Sequence, residues 1–143
     1  MLLNNRYKVI KVIGAGGFGE TFLASDNHIP SRRYCAIKQL KTTIQNPQTY
    51  QLVQKRFERE AVALELLGAC CDQIPTLYAY FSDNNQFYIV QEFIHGQTLA
   101  NQIEAKGALD EIAVTQIIVS TLNVLDYIHS KGIIHRDIKP DNI

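Results

Sequence analysis

The sequence predicts an α+β chain: a small antiparallel sheet of five strands with one inserted helix, followed by the first helices of a second, helical part. Three observations carry this. Five short runs rich in β-branched and aromatic residues lie between residues 6 and 93. One long run with helical spacing separates the third of them from the fourth. From residue 99 onward the apolar pattern is helical.

The elements follow in order. Arg6 to Ile13 alternates and carries Tyr7, Val9, Ile10, Val12 and Ile13, so it reads as a strand. A glycine cluster then turns the chain, and Thr21-Phe22-Leu23-Ala24 returns as the second strand. Asp26 to Ser31, with Asn27 and Pro30, reads as a loop. Tyr34 to Leu40 is the third strand, and Thr42 to Thr49, with Asn46 and Pro47, a further loop. Tyr50 to Leu67 reads as a helix whose Val53, Phe57, Ala61 and Leu64 mark one face, with Gly68 as its stop signal. Leu77 to Ser82 and Phe87 to Phe93 are strands joined by the turn Asp83-Asn84-Asn85. Leu99 to Lys106 is a short helix ended by Gly107. Asp110 caps a last helix that runs to about Ser130, before Gly132.

Composition narrows the function. The 143 residues are 46% hydrophobic and 20% charged, as in a soluble globular domain. Fourteen basic residues balance fourteen acidic ones, which leaves no footprint for nucleic acid or an anionic membrane. The stretch from Ile112 to Ile128 is broken by Thr115, Gln116, Ser120, Asn123 and Asp126, so it reads as amphipathic, not as a membrane segment. Met1 to Arg6 has no apolar signal core. Cys35, Cys70 and Cys71 have no metal-ligand spacing, and adjacent cysteines rarely bridge. They read as reduced thiols in a cytoplasmic protein.

Three motifs carry chemistry. The first is Gly14-Ala15-Gly16-Gly17-Phe18-Gly19. A lone pattern of this kind also occurs in dinucleotide-binding units, but there it opens a helix and an acidic residue follows about twenty positions on. Here Glu20-Thr21-Phe22-Leu23 is a strand pattern, and the residue some twenty positions on is Lys38. A dinucleotide-dependent oxidoreductase is therefore disfavoured. Glycines at this spacing exceed what a hairpin turn needs, whereas backbone lying close to a triphosphate needs them.

The second motif is Ala36-Ile37-Lys38. Alternation puts Lys38 on one face with Ala36 and Tyr34, and the small alanine leaves room for a flat base beside a phosphate ligand. On the following helix, at about 100° per residue, Glu60 falls among Val53, Phe57, Leu64 and Leu67, while Glu58 and Glu65 fall away from that face. Glu60 is thus expected to be buried and to need a cationic partner, for which Lys38 is the candidate.

The third motif is His135-Arg136-Asp137-Ile138-Lys139-Pro140-Asp141-Asn142. A carboxylate at Asp137 can orient a hydroxyl and accept its proton. Lys139 can neutralise a transferring phosphoryl group, and the amide oxygen of Asn142 suits magnesium.

Glycine loop, strand lysine and this loop, in that order, resemble the N-terminal half of a eukaryotic-like Ser/Thr protein kinase of the bacterial kind, over Tyr7 to Ile143. The resemblance implies a partial protein kinase domain over residues 1–143. Residues 7–93 would be its sheet lobe, and residues 94–143 the hinge and the start of the helical lobe. It implies ATP and Mg2+ as cofactors, a protein Ser/Thr substrate, and ATP bound in the cleft between the sheet lobe and the helices. Gly14, Gly16 and Gly19 would cover the phosphates. Lys38, paired to Glu60, would hold the α- and β-phosphates. Ala36 would touch adenine, Gln91 would be the gatekeeper, and Glu92-Phe93-Ile94 the hinge that reads the adenine edge. Leu64 and Leu77 would join the hydrophobic column that aligns the lobes. Asp137 would be the base and Asn142 a magnesium ligand; Lys139 is typical of Ser/Thr members. Thr21 stands where the family usually has valine over the adenine ring.

No D-F-G, activation loop or A-P-E occurs in the 143 residues. The expectation is a kinase whose sequence here stops within the active site, inactive and poorly stable by itself. The alternative is a non-catalytic nucleotide-binding or regulatory fragment.

Overall fold

The structure is a computed structural model that describes residues 1–16, 19–40, 47–84 and 86–143. The chain divides into two units, Met1–Ile94 and His95–Ile143.

The first unit is a fully antiparallel six-stranded sheet, β1 (Leu2–Leu3), β2 (Tyr7–Gly16), β3 (Gly19–Asp26), β4 (Tyr34–Leu40), β5 (Leu77–Asp83) and β6 (Gln86–Glu92), in the order β1-β2-β3-β4-β6-β5. Five strands were expected. The sixth, β1, is two residues long and too short to show a period; Leu3 nonetheless packs in the core beside Tyr7. The hairpin of β2 and β3 also extends further than expected, through Gly16 and Gly19.

One face of the sheet buries Tyr7, Phe22, Ala24, Cys35, Ile37, Tyr88 and Val90. Helix α1 (Pro47–Gly68) crosses the other face and buries Phe57 and Ala61 against Phe87 and Ile89. The expected helix began at Tyr50. The structure starts it at Pro47, because proline is tolerated in a first turn, where its missing N–H bonds nothing. Residues 42–46 of the expected loop lie outside the described residues, as do Gly17, Phe18 and Asn85. Helix α1 ends where Gly68 lies against Pro75; a Cβ there would sit 2.7 Å from the Pro75 carbonyl oxygen.

Away from α1, Arg6 grips the buried Asp26 through Nε at 2.9 Å and Nη2 at 2.7 Å, and the His28 amide donates to the same carboxylate. This clip ties the start of β2 to the end of β3. The Arg6 guanidinium holds the Asp26 carboxyl below its ordinary range, outweighing the opposing effect of burial.

The second unit contains α2 (Leu99–Lys106), α3 (Glu111–Ser130) and a 3-10 turn, Pro140–Asn142. Both helices start on side-chain caps: Thr98 accepts from the Asn101 amide and Asp110 from the Ala113 amide. Gly107, at φ +83°, ends α2 in a conformation that disfavours other residues. By length and composition α3 could cross a membrane, but its polar interruptions remain those of an amphipathic helix. One apolar cavity of about 400 Å³ in this unit is lined by Leu99 and Ile103 of α2, Ile117 and Leu125 of α3, and Ile138 and Ile143 of the loop beyond.

Candidate functional site

Strand register builds the candidate group of the first unit. Residues directly opposed in an antiparallel sheet point to the same face. Gly14 opposes Thr21, Thr21 opposes Lys38, and Lys38 opposes Ile89. The neighbouring row on this face joins Leu23, Ala36 and Gln91. This is the face that α1 crosses, so the register alone points Lys38 toward the helix. There Lys38 Nζ and Glu60 Oε1 form a hydrogen-bonded ion pair. Glu58 instead accepts from Gln54 Nε2 one turn back on α1.

The pair is formed, but it is not buried as the helical wheel predicted. The Lys38 and Glu60 side chains keep 43% and 42% of their surface exposed. Glu60 sits at the margin of the Phe57–Ala61 stripe, and the long lysine stem reaches it from the sheet. Desolvation therefore does not force this pairing. Both partners are held near one another by the elements that carry them.

The glycines of the loop have different reasons for being there. Gly19 has φ +152°, and a Cβ on it would lie 1.9 Å from the Gln39 carbonyl oxygen, so the fold itself requires glycine. Gly14 and Gly16 carry no such constraint. A Cβ on Gly14 would make only ordinary contact with Thr21, and one on Gly16 would meet nothing within 4 Å. The sheet leaves open room there, next to Thr21 and Lys38, which a closely approaching phosphate would use. Ala15 pairs with Glu20 in the same hairpin.

At the other end of β6, Glu92 is locked to the segment before β5. Its amide donates to the Thr76 carbonyl at 2.9 Å, and its Oε2 accepts from the Thr76 amide at 3.2 Å. Ile94 follows, exposed, with no strand partner. Glu92, expected to act through its backbone, thus also anchors through its side chain, for which a polar tip on a strand end is the one signal in the sequence.

The second unit carries its own candidate group, the loop after α3. Arg136 takes the left-handed conformation, φ +65°, which turns the chain at this point. Asn142 Nδ2 donates to the Asp137 carbonyl oxygen at 2.8 Å and to its Oδ2 at 2.9 Å. Lys139 Nζ lies 3.4 Å from the same Oδ2. His135 Nδ1 accepts from the Asp137 amide at 3.3 Å, a contact the sequence reading did not anticipate. The Asn142 hydrogen bond, with Lys139 adding to it, holds the Asp137 carboxyl below its ordinary range. The group is therefore ionised at neutral pH and presents an acceptor to solvent.

Among the described residues, no cluster of three or more His, Cys, Asp or Glu side chains is placed to hold a metal ion. Asn142 keeps its Oδ1 and Asp137 its Oδ1 as hard oxygen donors, which fit magnesium in kind. Two such donors are too few for a closed site, so further oxygens must come from phosphate or water.

Residues 7–143 match a family model described as protein kinase domain. The chain is 61% identical over 142 residues to the serine/threonine-protein kinase PknA of Nostoc sp., covering 99% of this chain and 25% of that protein. It is 54% identical to serine/threonine-protein kinase C of Synechocystis sp., covering 99% of this chain and 26% of that protein. The chain thus spans about a quarter of the length of these curated relatives. Among solved structures it is similar to Rad53 in complex with AMP-PNP, with a TM-score of 0.76 and 29% identity over 95% of this chain and 33% of that one. The kinase domain of Mycobacterium tuberculosis PknI gives a TM-score of 0.75 at 23% identity, over 94% of this chain and 52% of that one, a likeness of fold.

Proposed function

Since this chain belongs to the protein kinase domain family, we propose that it forms the nucleotide-binding and catalytic-loop part of a Ser/Thr protein kinase. Such a kinase transfers the γ-phosphoryl group of ATP to Ser/Thr hydroxyls of other proteins. Members of this family use ATP and Mg2+ in general, and the relatives are named as serine/threonine kinases. The observation that carries the reading is the Lys38–Glu60 ion pair, set in one cross-strand row with Thr21 and Gly14.

Each residue has a task in this reading. The loop Gly14 to Gly19 covers the phosphates, with Gly14 and Gly16 leaving the room that side chains would fill. Lys38 holds the α- and β-phosphates, and Glu60 orients Lys38. Ala36 and Thr21 flank the base, Gln91 lies beside it, and the backbone from Glu92 to Ile94 reads its edge. Asp137 accepts the hydrogen bond of the substrate hydroxyl and later its proton. A carboxylate is a weak base, which suits a loose transition state where alignment matters more than early proton removal. Lys139 offsets charge on the transferring group. Asn142 fixes Asp137 and offers Oδ1 to magnesium, which when bound neutralises the phosphates. The same reading takes the domain to be cytoplasmic.

The test is Lys38→Met in the full-length parent protein. Phosphorylation of a protein substrate should fall by orders of magnitude, because a phosphate ligand and its charge are lost. Wild-type-like activity would sink the assignment. A wild-type parent that binds ATP but transfers nothing would replace it with the non-catalytic reading.

A further inference from the structure

The three thiols occupy different environments. Cys35 is fully buried, its Sγ donates to the Ala24 carbonyl, and burial pushes its pKa up to about 11, so it is inert. Cys70 is exposed and Cys71 partly exposed, and both are free. They lie side by side in the connection from α1 to β5. We propose that Cys70 and Cys71 are a peroxide-responsive dithiol that closes to a vicinal disulfide and loosens the last turn of α1.

The chemistry balances. The Cys70 thiolate attacks one oxygen of hydrogen peroxide, the O–O bond breaks, and a sulfenic acid forms with release of hydroxide, which is protonated to water. The Cys71 thiol then attacks the sulfenic sulfur. The S–S bond forms, the S–O bond breaks and a second water leaves. Two electrons and two thiol hydrogens pass to the peroxide. An external dithiol returns them by exchange.

The mechanical effect follows from chain geometry. Adjacent Cα atoms are about 3.8 Å apart across a trans peptide, whereas disulfides span roughly 4.4–6.8 Å between Cα atoms. The closed ring is therefore strained, which makes it easily reduced and suits a reversible switch. The strain must be relieved locally, and the connection has little slack. Gly68 is pressed against the Pro75 backbone, and Ile74 N donates to Cys71 O at 3.0 Å. The Cys70 amide donates to the Leu67 carbonyl at a long 3.4 Å, which extends the end of α1. Its loss removes one hydrogen bond from the turn that carries Leu67, a core residue two turns beyond Glu60, and so loosens it. This inference does not depend on the phosphoryl-transfer reading.

The test treats the reduced full chain with stoichiometric hydrogen peroxide, then blocks free thiols and measures peptide masses and amide hydrogen exchange. The peptide that contains Cys70 and Cys71 should lose about 2 Da, the two thiol hydrogens, and dithiothreitol should restore it. Amide exchange at residues 67–70 should rise severalfold in the oxidised chain and fall back on reduction. A Cys71→Ser variant should stop at an oxygen-bearing Cys70, with exchange at residues 67–70 unchanged. Addition of two or three oxygens in the wild type, chains joined covalently through Cys70, or no reaction would overturn the dithiol. A disulfide that leaves exchange at residues 67–70 unchanged would overturn the switch.

Discussion

Replacing Glu60 by glutamine separates a functional ion pair from a merely stabilising one. Both side chains of the Lys38–Glu60 pair keep over two-fifths of their surface in water, so solvent screens the attraction. Such pairs contribute at most about 1 kcal/mol to stability, a shift of no more than a few degrees in melting temperature. The catalytic consequence should be larger. Without the carboxylate, the Lys38 ammonium is free to wander by an ångström or more, and displacement on that scale costs about tenfold to a hundredfold in rate, or ~1.4–2.7 kcal/mol of barrier. Glu58→Gln is the matched control, because Glu58 is on the same helix and accepts from Gln54 one turn back. The assay is ATP-dependent phosphorylation of a protein substrate by the full-length parent, with kcat and KM for ATP, beside a thermal melt of each variant. Glu60→Gln should lower kcat/KM by at least about tenfold with a small change in melting. Glu58→Gln should stay near wild type in both. Equal and small effects of the two substitutions would refute the assignment of Glu60. A large fall in melting temperature for Glu60→Gln would show that the pair is structural after all.

Three further outcomes are expected. Gly19→Ala should destabilise the first unit strongly, since its Cβ would enter the Gln39 carbonyl oxygen, whereas Gly16→Ala should leave the melt unchanged and weaken ATP binding; equal melts would remove this distinction. Asp26→Asn should cost about 3 kcal/mol, the low end for a broken buried pair, because Arg6 keeps 30% of its side chain exposed. Because the folded-state pKa of Asp26 lies below its unfolded value of 3.8, its contribution is complete above that value and fades as pH falls through the depressed one; melts recorded from pH 5 downward should drop more steeply for wild type than for the variant, and parallel curves would discount the clip. Ile118 and Leu122 are half-exposed on α3, so the 143-residue chain should bind an apolar fluorescent dye, and Ile118→Ser with Leu122→Ser should reduce that signal; an unchanged signal would place the dye elsewhere.

Local pattern alone carried much of this molecule. Tyr34–Leu40, Leu99–Lys106 and the cap at Asp110 coincide with the observed elements, because each is marked by its own period or stop signal. The wheel selected Glu60 over Glu58 and Glu65, and alternation set Lys38 on the face away from Cys35 and Ile37, because both are periodicities of single elements. The structure decided what depends on residues far apart in the chain. Strand β1 exists only because Leu3 finds Tyr7, and two residues carry no period of their own. The row Gly14–Thr21–Lys38 depends on register, which includes a shift between Val12 and Gly14. The sequence does not distinguish Gly14, Gly16 and Gly19, yet among these three only Gly19 faces a carbonyl of another strand. Burial of Glu60 was misjudged for the same reason: a helical wheel shows which side a residue is on, and only the packed sheet shows how far the cover extends. The lock of Asn142 on Asp137 likewise rests on the left-handed turn at Arg136, a conformation stabilised by context and not written in the residue type.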